Sequence, residues 1–70
     1  MDTDKLTDQQ RVVFQWLILG KSNKEIADEL GGLSEKTIKA HVTHIFKALK
    51  CTSRSQVIAR HYLEQARAHS

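Results

Sequence analysis

Between Ser34 and Cys51 the large apolar residues Ile38, Val42, Ile45 and Leu49 recur at i, i+4, i+7 and i+11. A helix returns every third or fourth side chain to the same side, so this spacing is one continuous stripe. Ser34 stands where an N-cap is needed, and Cys51-Thr52 breaks the pattern, predicting a helix over about Glu35 to Leu49. Three further helices follow from the same logic. Thr7 with Gln10 is a capping box, Asp8 sits at the positive end of the dipole, and Gly20 is a C-terminal stop. These signals bracket a helix of about Asp8 to Leu19 carrying Val13, Phe14 and Leu17. Ser22 with Glu25 is a second capping box, opening a helix of about Asn23 to Leu30 with Ile26, Ala27 and Leu30 on one side and Gly31-Gly32 beyond it. Ser53 with Gln56 reads as a third, ahead of a helix of about Arg54 to Ala66 whose apolar content is Val57, Ile58, Tyr62 and Leu63.

No segment alternates with period two, so no strand is predicted. Four short helices with tight connections make an all-α, compact four-helix domain without winged strands, spanning 1–70 with its folded core at about 6–66. Its expected core is Leu6, Val13, Phe14, Leu17, Ile26, Ala27, Leu30, Leu33, Ile38, Val42, Ile45 and Leu49, with Trp16 joining it or covering its edge. At 70 residues the chain is one domain that buries a modest share of its surface. A single cysteine forms no internal disulfide, so helix packing must hold the fold, and a reducing cytoplasm is the expected location. No apolar run approaches the ~18 residues of a membrane span, so no membrane partner is expected, and the N-terminus has no signal-peptide pattern.

The formal net charge of +3 is unevenly distributed. Lys5, Arg11, Lys21 and Lys24 face seven acids in the first half, Asp2, Asp4, Asp8, Glu25, Asp28, Glu29 and Glu35. From 36 to 63 come Lys36, Lys39, Lys47, Lys50, Arg54 and Arg60 with no acid at all. An acidic half beside an acid-free basic stretch marks an oriented face for a polyanion; a solvated basic helix face is the plainer reading.

The third helix separates these readings. Opposite Ile38, Val42 and Ile45 lie Lys36, Ala40, Thr43 and Lys47, flanked by Lys39 and His44. A solvated helix normally intersperses Glu with Lys to gain i,i+4 pairs, and this face does not. Small residues allow close approach to base edges, a threonine or alanine methyl meets a thymine methyl, and lysine donates to guanine or to phosphate. Ser22-Asn23-Lys24 adds a helix start that favours phosphate. Two helices joined by a short glycine-containing turn, the second basic on its outer face, are the helix-turn-helix pattern.

These residues resemble a known family. Leu6-Thr7, Gln10-Arg11, Val13-Phe14, Leu17, Gly20, Ser22-Asn23-Lys24-Glu25-Ile26-Ala27, Leu30, Leu33-Ser34, Thr37-Ile38-Lys39, His41-Val42, Ile45, Leu49 and Ser53-Arg54-Ser55-Gln56 fall in the pattern of LuxR-type helix-turn-helix domains. Those are the C-terminal output domains of bacterial quorum-sensing regulators and of NarL/FixJ-type response regulators. The resemblance covers about residues 6–63. It implies a cytoplasmic transcriptional regulator that is not an enzyme, needs no cofactor and binds double-stranded DNA sequence-specifically, usually as a dimer on paired half-sites. Positions matching Lys39, Ala40 and Thr43 reach bases in that family, and Lys36 shares their face. Positions matching Asn23, Lys24, Ser34, Thr37 and Lys47 meet the phosphate backbone, and His44 approaches it when protonated. The last helix is the expected homodimer surface, through Val57, Ile58, His61 and Tyr62, residues that serve equally well as core. An upstream receiver or ligand-binding domain is a further expected partner if the domain is the output end of a longer regulator; a stand-alone regulator is the alternative.

Two features depart from the family pattern. The turn Leu30-Gly31-Gly32-Leu33-Ser34 is one residue longer than usual, and Ala48 stands where lysine is common.

Other chemistries find less support. His41, His44 and Cys51, with His61 and His69 on another helix, show neither CxxC nor HExxH spacing, so no metal site is expected. His41 lies about 60° from the core stripe and reads as a half-buried packing residue hydrogen-bonded to a neighbour. Cys51 reads as a turn residue without a base to activate it. Arg54, at a helix start where a cation is disfavoured, reads as structural if it reaches an acid or carbonyl elsewhere. A helical protein-interaction module using the last helix, or an RNA-binding domain, are the rival functions. The acid-free lysine face disfavours the first, and the lack of exposed aromatics on it disfavours the second.

Overall fold

A computed structural model describes residues 3–68 of the chain. A short 3₁₀ turn, Thr3–Lys5, leads into four helices: α1 Asp8–Ile18, α2 Asn23–Glu29, α3 Glu35–Leu49 and α4 Arg54–Ala68. No strand occurs among the described residues. The 3₁₀ turn had no signal in the hydrophobic pattern, and α4 runs two residues further than its last apolar residues suggested.

Each helix starts where its cap places it. The Thr7 hydroxyl accepts from the Gln10 N–H at 3.2 Å and the Gln10 side chain accepts from the Thr7 N–H at 3.1 Å. Ser22 and Glu25 exchange the same pair of bonds at the start of α2. Ser34 Oγ accepts from the Thr37 N–H, opening α3. The third expected box is only half formed. Ser53 Oγ accepts from the Gln56 N–H, but Gln56 Oε1 reaches one residue further back, to the N–H and hydroxyl of Thr52. Both orphan donors are still satisfied, by a wider loop.

The helices stop on local geometry. Leu19 and Leu30 are caps and not helical residues. α3 closes on Lys50, in the left-handed region at φ 57°, with Cys51 N–H returning to the Phe46 carbonyl and Lys50 N–H to that of Lys47. These are the two bonds of a Schellman closure, there achieved without the usual glycine.

Helices α1 and α2 pack across α3, and α4 returns against α1. One cluster buries Leu6, Val13, Phe14, Leu17, Ile18, Ile26, Ala27, Ile38, Val42, Ile45, Leu49, Cys51 and Val57. Trp16 packs on its edge. Three members were not in the expected core. Ile18 widens the α1 stripe because α4 covers that side. Cys51 folds back under the end of α3, and Val57 faces inward from α4. Leu30 and Leu33, expected inside, are only partly buried at the core margin.

The lengthened turn is absorbed locally. Gly31 and Gly32 both take positive φ, 68° and 122°, which only glycine adopts without strain, and a Cβ at either would meet open space. Ile26 and Ala27 of α2 still share the buried cluster with Ile38 and Val42 of α3.

Candidate nucleic-acid interface

The amphipathic phase of α3 is as its spacing requires. Ile38, Val42, Ile45 and Leu49 are buried, while Lys36, Lys39, Ala40, Thr43, His44 and Lys47 are exposed. From Lys36 to Lys47 the outer face runs about 16 Å at 1.5 Å per residue, the length of roughly five base-pair steps of duplex. Among the described residues no ion pair engages Lys36, Lys39, Lys47 or Lys24, so their charges are available to an outside anion. The Thr43 hydroxyl donates to the Lys39 carbonyl at 3.0 Å. That bond spends the hydroxyl on the helix backbone and leaves the methyl as the group Thr43 presents.

The residues expected on phosphate frame this face. Ser34 is exposed and its hydroxyl is bonded to that of half-buried Thr37 at 3.0 Å, so both hold the start of α3. Lys24 is exposed and Asn23 is half-buried at the start of α2. Hydrogen bonds from the Ser22 backbone and hydroxyl, with Lys21 nearby, hold the Glu25 carboxyl below its ordinary value of 4.5. The lowered value reflects the stabilisation of the Glu25 carboxylate by the capping box it closes.

Two of the six cations in the acid-free stretch bond to groups of the protein itself. Arg54 donates from Nη1 to the Lys21 carbonyl at 3.1 Å and from Nη2 to Asn23 Oδ1, tying α4 to the α1–α2 connection. This is the carbonyl partner that a cation at a helix start requires. Arg60 donates from Nη1 to the Leu49 carbonyl at 2.9 Å and lies 3.3 Å from Cys51 Sγ. It thereby caps the C-terminus of α3, where a cation is favoured. Nothing in the sequence signalled the Arg60 contact, because it depends on how α4 crosses the end of α3. Lysines thus supply the free positive charge of residues 36–63.

Elsewhere on α4, Val57 is fully buried by its own chain, so of its two readings the structure supports core. Ile58 and His61 are half-buried, and Tyr62 and Leu63 are 53% and 54% exposed. His61 stacks edge-on against Phe14 and Tyr62, and the Tyr62 hydroxyl donates to the Ile18 carbonyl at 3.3 Å. His41 is half-buried as expected, though its ring makes no hydrogen bond among the described residues. His69 lies outside the described residues.

With this geometry in view, residues 4–61 match the family described as bacterial regulatory proteins, luxR family. The chain belongs to the luxR family. Spore germination protein GerE of Bacillus subtilis is 42% identical over 53 residues, which is 76% of this chain and 70% of GerE. The transcriptional regulatory protein YhcZ of the same species is 42% identical over 52 residues, covering 74% of this chain and 24% of YhcZ. The nitrate/nitrite response regulator NarL of Escherichia coli is 38% identical over 53 residues, covering 76% of this chain and 24% of NarL. The chain thus aligns with most of GerE but with about a quarter of the response regulators. Membership in the luxR family makes it a DNA-binding helix-turn-helix domain of transcriptional regulation. None of the described helices is long and apolar enough to cross a membrane.

Proposed function

We propose that the chain binds double-stranded DNA sequence-specifically with α3 in the major groove, as a dimer on paired half-sites. Supporting this above all is the exposed, acid-free face of α3 set directly behind a fully buried stripe. Small side chains let a helix approach base edges and donors reach guanine, and Lys36, Lys39, Ala40 and Thr43 supply both as base readers. Lys24, Lys47, Asn23, Ser34 and Thr37 fix orientation on the phosphates, joined by His44, and binding releases counterions.

A single domain this small holds one half-site weakly. Ile58, His61 and Tyr62, with exposed Leu63 beside them, form the dimer face, placing two copies on half-sites about one helical turn apart. Double-stranded DNA and a second copy are the partners, the cytoplasm is the location, and an upstream receiver or ligand-binding domain supplies the input. No catalytic step is assigned to the domain.

The test starts with sites selected from a random duplex pool. Lys39→Ala should cost about 1–3 kcal/mol on the selected site and relax preference at one position. Equal weakening on selected and random duplex would make Lys39 a phosphate contact only. Lys24→Ala should weaken all duplexes alike and reduce the salt slope by about one.

A further inference from the structure

We infer that Arg54 is the positioning residue for Asn23, turning the Asn23 amide so that its amino group faces outward as a donor to DNA phosphate. This rests on the reading of Asn23 as a phosphate contact. The half-buried guanidinium bridges two groups that lie 33 and 31 residues away in the chain, the Lys21 carbonyl and Asn23 Oδ1. An asparagine amide left to itself presents either its oxygen or its nitrogen to a neighbour with little preference in shape. A guanidinium only donates, so it accepts one of these orientations, the one with Oδ1 toward it. The amide is planar, with oxygen and amino group splayed apart on one carbon, so with Oδ1 on Arg54 the amino group is left for another partner. An anionic phosphate oxygen outside the protein requires such a free donor, and the reverse orientation would present a lone pair to it.

The geometry also explains why an arginine stands at this place. The first turn of α4 disfavours a cation by the helix dipole, and lysine's single ammonium does not span both acceptors as the planar fork does. The Lys21 bond fixes the fork on the backbone, and the Asn23 bond transmits that fixed position to the side chain. Arg54 itself remains turned to the protein and does not enter the contact.

The test is a double-mutant cycle read by fluorescence anisotropy on a random-sequence duplex, with the folded fraction of each variant checked by circular dichroism. Asn23→Ala should weaken binding about ten- to a hundredfold, the worth of one hydrogen bond to a charged acceptor. Arg54→Met should weaken it by a similar factor, and the double variant should be within about twofold of either single one. Arg54→Lys, which keeps the charge and loses the fork, should behave as Arg54→Met. Pairing Arg54→Met with Lys24→Ala should instead multiply the two losses.

Losses from Asn23→Ala and Arg54→Met that multiply in the double variant, or wild-type affinity in Arg54→Lys, would overturn the positioning role. If Arg54→Met fails to fold, the cycle is closed with Arg54→Lys. An Asn23→Ala variant that binds normally while Lys24→Ala and Lys47→Ala bind weakly would remove this inference and leave the DNA-binding mode intact. A wild-type chain that binds no duplex would remove both.

Discussion

Replacing Ile45 by alanine should separate the two faces of α3 by more than any other single change. Ile45 is fully enclosed in the cluster formed with α1 and α2. The substitution removes three buried carbons, which at about 0.8 kcal/mol each costs roughly 2.4 kcal/mol in transfer alone. The cavity left behind adds to this, for a total of about 2–5 kcal/mol. A chain of 70 residues has a total stability of about 4–10 kcal/mol, so the loss is a large part of the whole. The unfolding entropy at this size is about 150 cal/mol/K, so each kcal/mol moves Tm by about 7 °C, and the variant should melt some 15–30 °C below wild type. Thr43→Ala, two residues away on the exposed side, should stay within about 0.5 kcal/mol, since it loses one hydroxyl bond and gains helix propensity. Thermal unfolding followed by circular dichroism reads both. A loss below about 1 kcal/mol for Ile45→Ala, or an equal loss for Thr43→Ala, would refute the assigned phase of α3.

Three other outcomes are expected. Gly32→Ala should destabilise by about 1–3 kcal/mol through backbone strain alone, since its φ is 122° and nothing crowds the new methyl; an unchanged Tm would show that the turn adapts. Glu25 has a folded-state pKa held below 4.5, so its contribution to stability is present above that value and is lost as pH falls through the lower folded value. The stability gap between wild type and Glu25→Gln should therefore shrink between about pH 6 and about pH 3, and a constant gap would contradict the pairing with Ser22. Arg60→Met should lower stability by about 1–2 kcal/mol by freeing the Leu49 carbonyl, with no change in the salt slope of DNA binding; a slope reduced by about one would place Arg60 on a phosphate instead.

Local signals carried most of the fold. Thr7 and Ser22 cap the helices that their spacing to Gln10 and Glu25 indicates, and Ser34 caps the one that its place before the apolar stripe indicates, because a cap is settled within four residues. The stripe on α3 was legible for the same reason. What required the tertiary arrangement was less visible. Cys51 and Val57 are buried only because α4 crosses back over the end of α3 and against α1, and no periodicity within α4 distinguishes Val57 from Ile58. The division of labour within the basic stretch was legible in part. Arg54 read as structural from its place at a helix start, but its partners 31 and 33 residues away, and the bond of Arg60 to the Leu49 carbonyl, depend on the folded crossing of α4. Of the interface, the outer face of α3 was readable from angle alone, whereas the bond between Arg54 and Asn23 was not.

The most direct test of the DNA-binding mode is chemical-shift mapping of the chain with duplex DNA at low and high salt. Shifts should concentrate on Lys36, Lys39, Ala40, Thr43 and Lys47, with those at Asn23 and Lys24 fading as salt rises. Shifts confined to α4, with none across residues 36–47, would contradict the account and favour a protein-interaction surface.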